Sequence, residues 1–254
     1  HDDKVNSLFT STEALDIKNP EYKFLHGTYG IPEFGTEFVR RMLDDTKPTR
    51  FADLVRISGF SHGTDVWNNN ASEFIKNGMA TMNDAISTRD DIMNYLILKG
   101  LPNKDAFKIM EGVRKGKGVS DEYVALMERN GIPGWYIESC RRIKYMFPRA
   151  HAVAYVMMSY RIAYYKVYYP AEFYAAYFTV KRDDFNSDLI HTGVRGAMER
   201  IQELNSKGKA ATDKEKNEVT VLEVMYEMFS RGLEFLPARL GISDAMKFNA
   251  EAGK

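Results

Sequence analysis

Apolar segments of helical length run along most of the chain, separated by proline, glycine and capping residues, and strands have little support. Thr88 and Asp91 form a capping-box pattern at the start of one segment. Pro148 must end the helix before it, because proline lacks an N–H, yet it suits the first turn of a new helix. The pattern predicts helices at 34–43, 51–58, 89–99, 103–113, 121–130, 135–146, 148–169, 171–178, 188–206 and 213–231.

The composition changes near Asp184, where long charged helices replace the mixed segments that precede them. We therefore predict an all-α fold with two parts. Residues 1–181 form a compact multi-helix domain, and residues 182–254 form a helical extension.

The overall composition excludes several classes of protein. A hydrophobic fraction of 44% over 254 residues excludes a disordered or collagen-like chain. A single cysteine, Cys140, excludes a disulfide scaffold and a cysteine zinc cluster. Since there is no apolar run of about 18 residues and no signal pattern, we expect a cytoplasmic location and no membrane partner. The chain starts without methionine, which indicates a piece of a longer protein.

The net charge is zero, but the acidic residues are unevenly distributed. No Asp or Glu lies between Ser139 and Ala171. Solvated helix faces usually mix both signs of charge, so this stretch indicates either an anionic partner or a basic surface kept for solubility. Its basic residues are Arg141, Arg142, Lys144, Arg149, Arg161 and Lys166.

The most informative local pattern surrounds Pro148. A helix that begins there has a partly positive end, where acidic residues are expected, but Arg149 and His151 occupy its first turn. These cations repel the helix end unless an anion binds there, and phosphate is the natural ligand. Tyr145 and Phe147 add flat surfaces on which a base or sugar can stack. The alternative is that both aromatic residues belong to the core and Arg149 points to water.

Other patterns favour structural roles. The aromatic residues between Tyr155 and Phe178 recur near helical spacing, which is typical of a core. The small-residue turn at 58–64 allows close approach of a ligand, although the end of a helix at Gly59 explains it equally well. Cys140 lies near basic residues that could lower its thiol pKa, but a buried apolar role is favoured.

Four longer motifs carry a resemblance to a known family. YMFPRAHAVAY (145–155) and KVYYPAEFYAA (166–176) resemble the fingers signature of the C-family bacterial replicative DNA polymerases. ISGFSHGTDVW (57–67) and GIPEFGT (30–36) resemble the PolC type of the DNA polymerase III α subunit. The resemblance runs from about residue 8 to 180 and continues more loosely to about 240.

This resemblance implies a fingers domain of a DNA-directed DNA polymerase, which holds the incoming deoxynucleoside triphosphate against the primer–template DNA. The Mg²⁺ ligands of the family belong to the palm, so neither catalytic residues nor metal ligands are expected here. The extension after residue 181 would lead towards a helix-hairpin-helix region. Expected partners are the palm and other domains of the same polymerase, with the sliding clamp and replisome proteins bound by other regions. The isolated piece is expected to be inactive.

The matching motifs also imply site residues. The residues expected to bind triphosphate are Arg89, Arg114, Lys144 and Arg149. The turn expected to contact the nucleotide or primer is Ser61, His62, Gly63 and Thr64. Tyr145 and Phe147 are expected to pack on sugar and base, and His151 to donate to a phosphate or orient one. The cations expected to contact DNA are Lys115, Lys117, Arg141 and Arg142.

Two other functions remain open from the residues alone. A non-enzymatic helical protein could bind nucleic acid through the basic 139–171 stretch, with a steep salt dependence and no nucleotide selectivity. An interaction scaffold could dock a partner helix on the aromatic stripe, and would bind neither DNA nor nucleotide.

Overall fold

The computed structural model describes residues 2–251, and within that range the fold is all-α, with no strand. The helices are α1 (Asp3–Ser7), α2 (Glu37–Thr46), α3 (Phe51–His62), α4 (Ser72–Lys76), α5 (Arg89–Leu98), α6 (Asn103–Arg114), α7 (Asp121–Arg129), α8 (Gly134–Arg142), α9 (Arg149–Tyr168), α10 (Pro170–Val180), α11 (Gly193–Ser206) and α12 (Asp213–Ser230). The expected fold class is confirmed.

Contacts divide the chain into two compact units. Residues 37–158 form one, which we call the central unit; residues up to 36 together with those from 159 onward form the other, the terminal unit. Neither border falls at residue 181, because α10 to α12 share one core with N-terminal residues such as Tyr29. The functional border between a fingers domain and an extension stays a prediction.

The terminal unit has an aromatic and aliphatic core. Phe173 and Tyr174 of α10 pack with Ile201 of α11 and Met225 of α12, and all four are buried. Because α11 and α12 each place one apolar face on this core, the long charged helices are anchored to it.

A charged pair is also buried in the terminal unit. The Lys166 Nζ lies 2.6 Å from Glu227 Oε1, and both side chains are fully buried. Lys166 Nζ also donates to the Gly27 carbonyl at 2.8 Å. Lys166 therefore does not contribute to a basic surface, contrary to the expectation for the 139–171 stretch.

In the central unit, α3 continues through Gly59 to His62, so the prediction that this helix ends at Gly59 is wrong. A Cβ at position 59 would lie only 2.7 Å from the Ser87 carbonyl oxygen. The glycine is therefore explained by close packing of α3 against the segment that precedes α5, rather than by the end of a helix.

Two other predicted boundaries differ from the structure. Helix α8 ends at Arg142, four residues before the predicted Met146, because Ile143 is extended and the segment after it pairs with Thr64. Helix α11 begins at Gly193 rather than near Asp188, since residues Ser187–Leu189 form a separate 3₁₀ turn. The remaining predicted helices agree with the structure to within a few residues.

The aromatic stripe is only partly core. Phe173, Tyr174 and Phe178 are buried as expected. The core prediction is wrong for five other members of the stripe, which are between 40% and 55% exposed: Tyr155, Tyr164, Tyr165, Tyr168 and Tyr169. Helix α9 has no apolar stripe that would distinguish these positions by spacing alone. Within residues 2–251, no helix has the length and apolarity needed to cross a membrane.

Candidate functional site

The predicted site residues converge in the central unit, where separate segments are joined by backbone hydrogen bonds. The Thr64 N–H donates to the Tyr145 carbonyl at 2.9 Å, and the Lys144 N–H donates to the Thr64 carbonyl at 3.1 Å. These bonds form a short antiparallel bridge. The turn at the end of α3 therefore lies directly beside the segment that leads to Pro148.

Two further segments are joined to the same strip of backbone. The Arg89 N–H, at the start of α5, donates to the Phe147 carbonyl at 3.2 Å. The Met146 N–H donates to the carbonyl of Arg114, the last residue of α6, at 3.4 Å. The structure thus brings together four regions that are distant in sequence: 61–64, the start of α5, the end of α6, and 144–151.

Close approach of backbone atoms explains two glycines of this site. A Cβ at Gly63 would lie 2.7 Å from the Tyr145 carbonyl oxygen, and a Cβ at Gly116 would lie 2.5 Å from the Lys144 carbonyl oxygen. Real Cβ atoms do not approach other atoms so closely, so each position requires glycine or a shift of the backbone. We call this assembly the basic junction: residues 61–64, 89–91, 114–116 and 144–151.

Aromatic and histidine rings form a continuous cluster at the basic junction. The rings of Tyr145 and Phe147 meet edge to face at 5.1 Å, and Phe147 stacks on His151 at 4.9 Å between centroids. The ring centroid of His151 lies 6.0 Å from that of His62 and 4.3 Å from that of Tyr155. Tyr155 was not predicted as a site residue; its spacing of four residues from His151 on one helix was the available signal.

The residues at the end of α3 differ from the predicted turn. Ser61 and His62 are the last residues of the helix, where the Ser61 hydroxyl donates to the Ser58 carbonyl at 3.1 Å. His62 Nδ1 lies 2.7 Å from the same carbonyl oxygen. Their side chains are therefore held by the last turn of α3, and only Gly63 and Thr64 lie beyond it.

The cations at the basic junction differ in how far they are neutralised. Within the described chain, no carboxylate lies within ion-pair distance of Arg89 or Lys144. Arg114 and Lys115 share Glu111, with nitrogen–oxygen distances of 2.5 and 2.9 Å. Hydrogen bonds from these two side chains lower the pKa of Glu111 to about 2. Since one carboxylate balances two cations there, the junction keeps an excess of positive charge.

The N-terminus of α9 has anionic partners within the chain. The Arg149 N–H donates to Asp90 Oδ2 at 2.6 Å, and Arg149 Nη2 lies 3.6 Å from Asp91 Oδ1. The expectation that an external anion is needed to stabilise this helix end is therefore wrong. Sequence reasoning missed Asp90, because the capping box seemed to explain both acidic residues, although Asp91 alone accepts from the Thr88 N–H.

The cations predicted to bind DNA lie in different environments. Arg142 is held by Glu73 at 2.7 Å and Glu138 at 3.0 Å, so its guanidinium already has anionic partners. Arg141 and Lys117 are exposed, and among residues 2–251 neither has a carboxylate within ion-pair distance. Their contact with DNA stays a prediction, as does that of Lys115.

Cys140 is a buried structural residue, as the favoured interpretation predicted. Burial raises the pKa of its thiol to about 12, so the nearby cations do not activate it. Across residues 2–251, no group of three or more His, Cys, Asp or Glu side chains could hold a metal ion. The residues of the described chain therefore do not fit the Mg²⁺ site that the resemblance implies for the palm.

Comparisons with known proteins agree with the motif resemblance. Residues 1–131 match the family described as the bacterial DNA polymerase III alpha subunit finger domain. The chain is 60% identical over 251 residues to a protein of Clostridium perfringens named DNA polymerase III PolC-type, covering 99% of this chain and 17% of that relative.

Relatives with the same name occur in other bacteria. The one from Caldanaerobacter subterraneus subsp. tengcongensis is 58% identical, covering 97% of this chain and 18% of its own length. The one from Thermotoga maritima is 55% identical, covering 96% of this chain and 18% of its own length. The chain therefore spans less than a fifth of the length of the curated relatives it matches.

Proposed function

The chain belongs to the PolC-type DNA polymerase III family, whose finger domain it carries, and from this membership we propose that it binds the incoming deoxynucleoside triphosphate and primer–template DNA during template-directed DNA synthesis. The activity is that of a DNA-directed DNA polymerase, a nucleotidyltransferase, and belongs to the intact polymerase. The term intact polymerase means a full-length PolC-type enzyme that carries this segment. Its proposed location is the bacterial cytoplasm, where the chromosome is replicated.

The observation that supports this proposal is the convergence of four cations on one strip of backbone. Backbone hydrogen bonds link the segments that carry Arg89, Arg114 and Lys144, and α9 begins beside them with Arg149. A triphosphate presents several negatively charged oxygens, which are best bound by cations fixed in advance. Arg89 and Lys144, which have no carboxylate partner within the described chain, are the cations with most to gain from phosphate.

The aromatic cluster supports a role for the rest of the nucleotide. Tyr145 is 44% exposed, so part of this residue is accessible to a sugar or base. Phe147 and His151 are stacked on each other, which fixes both rings before a ligand arrives. We assign His151 to a phosphate, as donor or orienting group, and the turn of Gly63 and Thr64 to the nucleotide or primer.

Phosphoryl transfer depends mainly on positioning and on charge stabilisation. In this proposal the chain contributes cationic side chains and stacking surfaces, while Mg²⁺ bound by other parts of the intact polymerase provides the metal chemistry. No step through the metal is assigned to these residues. The proposed partners are primer–template DNA, the palm and other domains of the same polymerase, and, through other regions, the sliding clamp and replisome proteins.

The alternative of a non-enzymatic nucleic-acid binder has less support. Three of the six cations on the 139–171 stretch already have carboxylate partners within the chain: Lys166 is buried against Glu227, Arg142 pairs with Glu73 and Glu138, and Arg149 lies 3.6 Å from Asp91. A continuous basic surface along this stretch is therefore interrupted, whereas the cations around Pro148 stay grouped.

The test is to remove the Arg149 side chain in the intact polymerase. Hydrogen bonds to charged groups contribute about 1.5–3 kcal/mol, so Arg149→Ala is expected to weaken triphosphate affinity by about tenfold or more. Arg149 is 47% exposed and lies 3.6 Å from Asp91 Oδ1, so the lost ion pair should change stability by no more than about 1 kcal/mol. Nucleotide titration and a thermal melt measure the two effects.

Arg129→Ala provides the matched control. Arg129 is an exposed arginine at the end of α7, in the same unit but outside the basic junction, and its Nε donates to the Ala125 carbonyl at 3.3 Å. Its removal should leave triphosphate affinity unchanged. If Arg149→Ala lowers the melting temperature while triphosphate affinity stays normal, Arg149 has a structural role and the proposed function of this site is wrong.

A further inference from the structure

Three consecutive residues at the start of α5 each contact the segment that begins α9. The Arg89 N–H donates to the Phe147 carbonyl at 3.2 Å. Asp90 Oδ2 accepts from the Arg149 N–H at 2.6 Å, and Asp91 Oδ1 lies 3.6 Å from Arg149 Nη2. The two helices therefore begin side by side, and both begin with an arginine.

Such an arrangement is electrostatically unfavourable without a compensating anion. The N-terminus of a helix carries a partial positive charge, and arginine is the unfavourable residue at that position. Here two helix N-termini lie side by side, and each helix begins with an arginine, so the positive charges raise one another's energy. The Asp90 carboxylate, which accepts from the Arg149 N–H, offsets this repulsion.

The two carboxylates have different roles. Asp91 Oδ2 accepts from the N–H groups of Ser87 and Thr88, both at 2.9 Å, and Asp91 Oδ1 lies 3.7 Å from Arg56 Nη1. Asp91 is therefore part of the cap that starts α5. Asp90 is not needed for that cap, and its hydrogen bond goes to α9.

We propose that Asp90 is a positioning residue for the triphosphate-binding cations. By accepting the Arg149 N–H, it holds the start of α9 against the start of α5 and sets Arg149 relative to Arg89. Asp90 would act through these arginines without contacting the nucleotide. This inference rests on the proposed function of the basic junction.

The experiment uses steady-state kinetics of the intact polymerase on a primer–template with one deoxynucleoside triphosphate varied. Asp90→Ala removes the carboxylate and is expected to raise the nucleotide KM about three- to tenfold. The kcat should change by less than about twofold, because binding rather than the chemical step is affected. A purely structural role would instead lower the melting temperature and the active fraction without changing KM.

Two other variants sharpen the test. Asp90→Asn keeps an acceptor oxygen at the same distance from the backbone, so it should recover most of the loss in KM. Asp121→Ala removes an acidic residue from the first turn of α7, in the same unit but outside the basic junction, and should leave KM unchanged. Should the alanine variant fail to fold, Asp90→Glu replaces it. It keeps the charge but displaces the carboxylate, so its KM should exceed those of the wild type and of Asp90→Asn.

The outcomes separate this inference from the proposed function. If Arg149→Ala raises KM but Asp90→Ala and Asp90→Glu do not, only the positioning role is wrong. If neither Arg149→Ala nor the Asp90 variants change KM, the proposed function of the junction fails as well. If Asp90→Ala lowers KM, the carboxylate competes with phosphate for the cations, and the positioning role is overturned.

Discussion

Gly116→Ala tests whether the end of α6 is held against the segment before Pro148. Gly116 has a positive φ of 71°, and its added Cβ would lie 2.5 Å from the Lys144 carbonyl oxygen and 3.2 Å from the Lys144 Cα. The atoms in contact belong to the backbone, so no flexible side chain can move aside. Either the loop after α6 or the strip at Lys144 must shift.

Gly118 provides a matched control for the size of this effect. Its φ is 70°, almost the same as that of Gly116, but a Cβ there would meet nothing within 4 Å. The left-handed conformation itself costs an alanine about 1–2 kcal/mol at either position. Forcing an extra methyl group into a packed contact adds typically about 1–3 kcal/mol, and this term applies to Gly116 alone.

We therefore expect Gly118→Ala to destabilise the chain by about 1–2 kcal/mol and Gly116→Ala by about 2–5 kcal/mol. Urea denaturation of the two variants measures the difference directly. In the intact polymerase, Gly116→Ala should also raise the nucleotide KM, because it separates Arg114 from Lys144. Equal stability losses in the two variants would show that the close approach of Gly116 to Lys144 does not exist.

Three further predictions concern the rest of the chain. The isolated chain should show no primer extension with Mg²⁺ and primer–template, and any extension by the pure chain would contradict the assignment of metal ligands to other regions. Burial raises the pKa of the Cys140 thiol from 9.0 to about 12, so the contribution of this thiol to stability is complete below pH 9 and is lost as the pH rises towards 12. A thiol reagent at pH 8 should label Cys140 only in denaturant. Fast labelling of the folded chain would contradict its burial. Lys166→Met removes the cation that pairs with the buried Glu227, whose carboxylate then keeps, within the described chain, only the hydrogen bonds from the Tyr174 and Tyr22 hydroxyls, and should cost about 3–5 kcal/mol in urea denaturation. A loss below about 1 kcal/mol would show that the pair is not buried.

Most of the fold could be predicted from local sequence signals. Thr88 and Asp91 place the start of α5 because a carboxylate three residues into a helix can accept from the first backbone N–H groups. Pro148 directly precedes α9 because its ring suits the start of a helix and not the interior of one. These effects act within a few residues, so the sequence alone contains them.

The helix boundaries that differ from the sequence-based prediction depend on contacts between distant segments. Position 59, inside α3, is a glycine because the backbone at Ser87 approaches it closely. Helix α8 ends at Arg142 because the segment after it pairs with Thr64. Likewise, five tyrosines with the spacing of core residues are exposed. Local spacing does not specify which face of a helix finds a partner, since burial depends on the packing of the whole unit.

The sequence alone determined the helical class, the family resemblance and the candidate cations, because these follow from residue types and short motifs. Only the tertiary structure decided which cations are free. Arg89 and Lys144 have no carboxylate partner in the described chain, Arg114 shares Glu111, and Lys166 is buried against Glu227. Only the structure, too, showed that Asp90 accepts from the Arg149 N–H. The physical reason is that electrostatic energy depends on distance and burial, and residues 59 positions apart meet only when the chain has folded.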